Sequence, residues 1–201
     1  MILKRGFYER DIFTVAKELL GKTIVHETPE GVTSGKIVET EAYLGPEDKA
    51  SHAFGSLRTG RTETQFGPKG HAYIYLIYGL YYCFNTTAGS IAGKPEAVFF
   101  RAIEPLSGID LMQKRRPTAK GNAKKLANGP SKLCMAMAIT KKQNGADLYV
   151  PPFYIKDAGV AVADENIVHD TRIGVDYADE WKKMPWRFYI KDNPFVSIKA
   201  K

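Results

Sequence analysis

The sequence predicts a mixed α/β (α+β) fold, with mostly antiparallel strands and flanking helices in one domain spanning residues 1–201. Three observations lead there. The strongest period-two patterns, KIVETEAY and AYIYLIYGLYYCFN, each pair with a neighbouring run across a short turn, the signature of antiparallel hairpins. Helical spacing of apolar residues is confined to short segments near residues 8–21, 107–116 and from Pro130 onward. No repeat, low-complexity tract or linker divides the 201 residues, a length that buries a substantial core.

Along the chain, Ile12, Val15, Ala16, Leu19 and Leu20 fall at helical spacing, and Gly21 follows as a C-terminal glycine. LGKTIVHET reads as a strand, Pro29, Glu30 and Gly31 as a turn, and VTSGKIVETEAY as the returning strand. Along that strand Val38, Thr40, Ala42 and Leu44 share one face, while Ile37, Glu39, Glu41 and Tyr43 share the other. Two carboxylates thus stand roughly 6–7 Å apart at their Cα atoms. Like charges so close push at least one pKa up. Gly45 and Pro46 end the strand, PEDKASHAF reads as a short helix carrying His52 back towards it, and residues 55–70 read as an exposed loop.

Residues 70–89 form a hairpin or bulged strand pair with Tyr78 and Gly79 at the bend. Its five tyrosines within residues 73–82 each offer a flat apolar face and a hydrogen-bonding tip. Glu96 to Ile103 is a further strand, in which Arg101 sits among Phe99, Phe100, Ala102 and Ile103 and needs an anionic partner; Glu39 and Glu41 are the obvious ones. Ser107 to Arg116 reads as an amphipathic helix with cations in its last turn, 117–128 as a basic loop, and Pro130 as the first turn of a buried helix. ADLYVPPFYI gives short strands, and RFYIKDNPFVS a last strand ended by Asn193 and Pro194.

Composition narrows the function classes. The chain is 44% apolar and 25% charged, which fits a globular protein and not a disordered or membrane-embedded one. No apolar run reaches bilayer length, and the N-terminus lacks a signal-peptide pattern, so a cytoplasmic location without membrane attachment is expected. Cys83 and Cys134 have no CxxC spacing and lie among apolar residues, reading as buried small hydrophobes. The net charge of +7 favours a polyanionic partner, nucleic acid above all. Walker loop, GxGxxG, GxSxG and HExxH motifs do not occur. On the residues alone, an acid pair, a histidine and tyrosines make a candidate acid–base site for a flat ligand. An amphipathic strand with Glu39 and Glu41 in water, a purely structural ion pair of Arg101, and a metal site of Glu39, Glu41, Asp48 and His52 stay open beside it.

GKIVETEAYLGPEDKASH, YIYLIYGLYYCFN, FFRAIEPLSGI, GPSKLC, RIGV, EW and RFYIKDNPFVS occur in this order. Together they resemble the 3-methyladenine DNA glycosylases of the alkyladenine (methylpurine glycosylase) type, over nearly the whole chain from about Gly6 to Ser197. The resemblance implies a curved antiparallel sheet and a base-excision-repair enzyme. Such an enzyme acts on double-stranded DNA containing damaged purines, flips out an alkylated or deaminated purine and hydrolyses its N-glycosidic bond. It implies Glu41 as the water-activating base, Arg101 and the backbone carbonyl of Ile173 as aids in placing that water, and Tyr43, Tyr75 and His52 around the base. Asn85 would stand at the pocket floor, against the 2-amino group of normal guanine, and Tyr78 would intercalate. Glu39 receives no catalytic role. No metal or organic cofactor is implied; no lysine stands where a Schiff base would form, and a monomer without lyase activity is expected. A non-catalytic nucleic-acid-binding module and a metal-dependent nuclease are the competing readings.

Overall fold

The computed structural model describes residues 1–199. Eight strands among them form one antiparallel sheet: β1 (Thr23–Thr28), β2 (Gly31–Tyr43), β3 (Ala72–Ile77), β4 (Tyr81–Thr87), β5 (Ala97–Ser107), β6 (Phe153–Lys156), β7 (Ile167–Asp170) and β8 (Arg187–Ile190). The spatial order is β3-β4-β5-β2-β1-β6, with β8 also on β2 and β7 on β8. With helices α1 (Arg5–Tyr8), α2 (Ile12–Glu18), α3 (Ile109–Arg115) and α4 (Pro130–Ala136), this is the expected α+β architecture.

The longest strand, β2, organises the sheet. β5 lies along one edge from Ser34 to Tyr43. Along the other edge, β1 accompanies β2 as far as Lys36, and β8 replaces it opposite Glu39, Thr40 and Glu41. Register shifts against β5 flank Glu39. Such bulges bend a strand and increase its twist. A sheet that exchanges neighbours midway along a bulged central strand curls, and the curl encloses both faces of β2.

One face packs on the main core of Leu19, Leu20, Ile24, Ile37, Phe84, Phe100, Ile103, Leu133 and Phe153. α2 is tied to it by Thr40, whose hydroxyl donates to the Ala16 carbonyl at 2.9 Å.

Several elements differ from the sequence expectation. The helix expected over 8–21 runs only from Ile12 to Glu18, because the Asp11 side chain accepts from Thr14 N–H and starts it at Ile12, with α1 a separate turn before it. PEDKASHAF is no α-helix: short 3₁₀ turns, Gly45–Glu47 and Phe54–Ser56, flank a loop organised by Asp48. Its carboxylate accepts from Leu44 and Ala50 N–H groups, which serves these amides without helical bonds. Residues 55–70 are not uniformly exposed; Thr62, Gln65 and Lys69 are buried, and Glu63–Phe66 is a 3₁₀ turn. β8 stops at Ile190, before Asn193 and Pro194.

Candidate active site

The inner face of the curled sheet opens on a cavity of about 660 Å³, walled by Tyr43, His52, Tyr75, Asn85, Arg101 and Ile173, with Tyr78 at its rim. Seven of the eight residues singled out from the sequence therefore meet at one place. The eighth, Glu41, lies beneath that lining and is 0% exposed.

Three donors converge on the Glu41 carboxylate. Tyr43 O–H donates to Oε2 at 2.9 Å, Ile173 N–H donates to Oε1 at 2.9 Å, and Arg101 Nη1 is 3.2 Å from Oε1. The Tyr43–Glu41 bond follows from strand parity, which sets residues two apart on one face. Ile173 enters from the loop after β7, and its amide is what the structure joins to Glu41. Arg101 comes from β5 beside β2, as an arginine in an apolar strand requires. It also faces Glu39, with Nε 3.3 Å from Oε1, so one guanidinium serves both carboxylates. Burial works to lower the Arg101 pKa, yet Glu41 and Glu39 together hold it above its ordinary value. Burial and the Glu41 charge push the Tyr43 hydroxyl well up, which keeps it a donor.

The rest of the wall is aromatic. The His52 ring meets Tyr75 edge-on, centroids 4.6 Å apart, and its Nδ1 is 2.9 Å from the Tyr73 hydroxyl. Burial, with a contribution from Arg61, pushes His52 down to about 4, so it is neutral at pH 7. Asn85 on β4 donates from Nδ2 to the Tyr73 carbonyl, which fixes its amide. Tyr78 is 85% exposed at the β3–β4 turn, where Tyr78 and Gly79 both have positive φ and Leu80 N–H donates to the Ile77 carbonyl. A tyrosine held in a left-handed conformation at an exposed tip is uncommon and marks a candidate contact point.

The alternative metal grouping is not assembled. Glu39 is engaged by Arg101, Arg187 and the Ser197 amide, and Asp48 by Arg172, while His52 Nδ1 faces Tyr73. Among the described residues no three His, Cys, Asp or Glu side chains are grouped to hold an ion.

Sequence reasoning missed two supports. Arg172 donates to both Asp48 oxygens at 2.5 and 2.9 Å and to the Ala42 carbonyl, and its guanidinium lies 4.6 Å from the centroid of Tyr43. Arg187 bridges Glu39 and Asp170 and donates to the Ile198 carbonyl. The only visible signal was an arginine at the head of each of the short runs RIGV and RFYI, weaker than the mid-run position that marked Arg101. Arg61, at the cavity wall over Tyr75, gave no signal, since it lies in a polar, glycine-containing loop.

Comparison with known proteins agrees in one direction. The family model for methylpurine-DNA glycosylases matches residues 6–194. A curated relative from Clostridium acetobutylicum, provisionally named 3-methyladenine DNA glycosylase, is 53% identical over 207 residues, covering 100% of both chains. Relatives under the same name from Clostridium perfringens and Desulfitobacterium hafniense are 48% and 44% identical over 208 and 203 residues. They cover 99% and 98% of this chain and 100% and 98% of their own lengths.

Proposed function

The chain belongs to the methylpurine-DNA glycosylase family, and from that premise we propose that it hydrolyses the N-glycosidic bond of alkylated or deaminated purines flipped from duplex DNA, with Glu41 activating the water. It is a DNA glycosylase, a hydrolase of N-glycosyl bonds, and that activity fits base excision repair.

One observation carries the mechanism: a fully enclosed carboxylate, held by three donors, directly beneath an aromatic cavity of about 660 Å³. Extrusion of the nucleotide costs a few kcal/mol of stacking and pairing. Tyr78 fills the space left in the duplex, in the manner of apolar wedges at kinked steps. The base stacks between Tyr43 and Tyr75 beside His52; stacking is worth about 1–3 kcal/mol per base and tolerates varied purines. Asn85 crowds the 2-amino position of normal guanine.

An ionised carboxylate offers about four lone-pair sites, and three donors leave Glu41 one lone-pair direction for a water that enters with the substrate. Arg101 and the Ile173 carbonyl complete its placement. The water oxygen bonds to C1′ as its proton passes to Glu41, and the C1′–N bond breaks with its electron pair leaving on the base. A positively charged alkylated purine leaves neutral, whereas hypoxanthine or an etheno-adenine must also gain a proton or hydrogen bond. The cavity lining includes no lysine, which supports hydrolysis without a Schiff base or strand cleavage.

The test is base release from duplexes carrying hypoxanthine or 1,N6-ethenoadenine in the presence of EDTA, read as alkali-labile sites. Release is expected. Strand cleavage that EDTA abolishes would favour a metal nuclease, and binding without release of any damaged purine would favour a non-catalytic module.

A further inference from the structure

Both stacking walls of the cavity carry a guanidinium, and the two differ in one respect. Arg172 sits 4.6 Å from the Tyr43 centroid, but Asp48 neutralises it through a doubly hydrogen-bonded pair. Arg61 sits 5.0 Å from the Tyr75 centroid and lines the cavity. Its Nη2 donates to the Leu76 carbonyl at 2.6 Å, and no carboxylate pairs with it among the described residues. The nearby acid Glu63 is taken by Arg58 in a two-pronged pair. Glu41 has Arg101. Arg61 is therefore an uncompensated positive charge at the wall where the base stacks.

We propose that Arg61 is a specificity-determining residue that biases the pocket against positively charged N3- and N7-alkylated purines and towards neutral lesions, the deaminated and etheno-bridged purines. This rests on the assignment of the cavity as the base pocket. The physics has two parts. A ring face attracts cations through its negative quadrupole. A guanidinium already over Tyr75 uses that attraction, so a cationic base gains less from stacking than it would on a free tyrosine. The second part is direct repulsion. A base stacked in this pocket is within several ångströms of the Arg61 charge; Arg61 is exposed, so solvent screens the repulsion only in part and unit charges at that distance still interact. The field reaches the surroundings: Arg61 helps lower His52 and acts on the tyrosine hydroxyls of Tyr73 and Tyr177. A neutral purine feels neither effect to first order. Intrinsic lability works the other way, because cationic bases are better leaving groups. Arg61 thus narrows the rate advantage that chemistry alone would give alkylated purines.

The experiment measures single-turnover excision at saturating protein from duplexes containing 7-methylguanine, which is cationic, and 1,N6-ethenoadenine, which is neutral. It compares the natural chain with Arg61→Gln and Arg61→Lys. The ratio of the two rates within each protein, compared across proteins, cancels intrinsic lability and any shared phosphate contact. Arg61→Gln is expected to raise the methylguanine-to-ethenoadenine ratio about three- to tenfold, the size of a partly screened charge contact. Arg61→Lys, which keeps the charge, is expected to stay within about twofold of the natural ratio. An unchanged ratio in Arg61→Gln, whether or not both rates fall together, overturns the assignment while leaving the glycosylase reading intact. Absence of excision from both duplexes by the natural chain overturns the glycosylase reading, and this inference with it.

Discussion

Glu41→Gln is the perturbation that bears most directly on the chemistry. The substitution keeps shape and removes charge. Three donors, the Tyr43 hydroxyl, the Ile173 amide and Arg101, point at the carboxylate. A glutamine with its oxygen at the Oε1 position keeps the Ile173 amide and Arg101 but without the charge, and its NH₂ faces the Tyr43 hydroxyl, which must turn from donor to acceptor. Hydrogen bonds to charged groups are worth about 1.5–3 kcal/mol each, and an unsatisfied buried group costs about 1–3 kcal/mol. Arg101 retains Glu39 as counter-ion, which limits the loss. Stability should drop by about 2–4 kcal/mol, or about 5–15 °C in Tm for a chain of this size. Catalysis should suffer more. A positioned general base contributes about 10²–10⁴-fold, so single-turnover excision should fall by that factor. Affinity for a lesion duplex, read by fluorescence anisotropy, should stay within about threefold, because the cavity lining and Tyr78 are untouched. A folded Glu41→Gln protein that excises ethenoadenine within about threefold of the natural rate would refute the assignment of Glu41.

Other outcomes follow from the same geometry. Tyr78→Ser alters an exposed turn residue, so thermal unfolding should hardly move while excision from duplex DNA falls about ten- to hundredfold, the size of a lost contribution to unstacking; excision from the same lesion in single-stranded DNA, assayed in parallel, should fall far less. Asp48→Asn leaves the buried Arg172 without a counter-ion and should cost about 3–5 kcal/mol, measurable by calorimetry. His52 is held neutral in the folded state at about 4, against its ordinary 6.5. Below 6.5 the unfolded chain binds a proton that the folded chain refuses, so stability contributed by neutral His52 is intact above that pH and is lost progressively towards 4. Urea unfolding at pH 7 and pH 5 should show a larger drop for the natural chain than for His52→Phe; equal drops would contradict the burial argument.

Most of what was legible in the sequence came from periodicity and from polar residues out of place. β2 and the β3–β4 hairpin were readable because period two was strong and a Tyr-Gly pair marked the turn. Glu41 and Arg101 were readable because charges inside apolar strands demand partners, and here they are each other's. The stretch from Gly45 to Gly70 was not. Its order comes from side chains bonding to backbone: Asp48 to Leu44 and Ala50, Ser51 to Ala53, and Thr62 to Leu57 and Thr59. Such bonds have no period. The Arg172–Asp48 pair spans 124 positions, and no local pattern announces a contact at that separation. β7 escaped notice because Ile167–Asp170 is four residues long and alternates too briefly to register.

The two glutamates that share a face of β2 are separated in function by what the strand's other neighbours bring to each. Period two puts Glu39 and Glu41 equally near β5, and Arg101 takes both. The asymmetry comes from β8, which joins β2 just where β1 departs. Its Arg187 reaches Glu39, and the Ser197 amide donates to the other Glu39 oxygen at 2.7 Å. Glu39 is thereby held in a structural pair, with a charged partner on either side and the amide of Ser197 on its second oxygen. Glu41 instead receives a phenol, an amide and one edge of Arg101 directly beneath the cavity floor. Since Glu39 already has Arg187, Arg101 can lean on Glu41 without leaving a buried anion uncompensated.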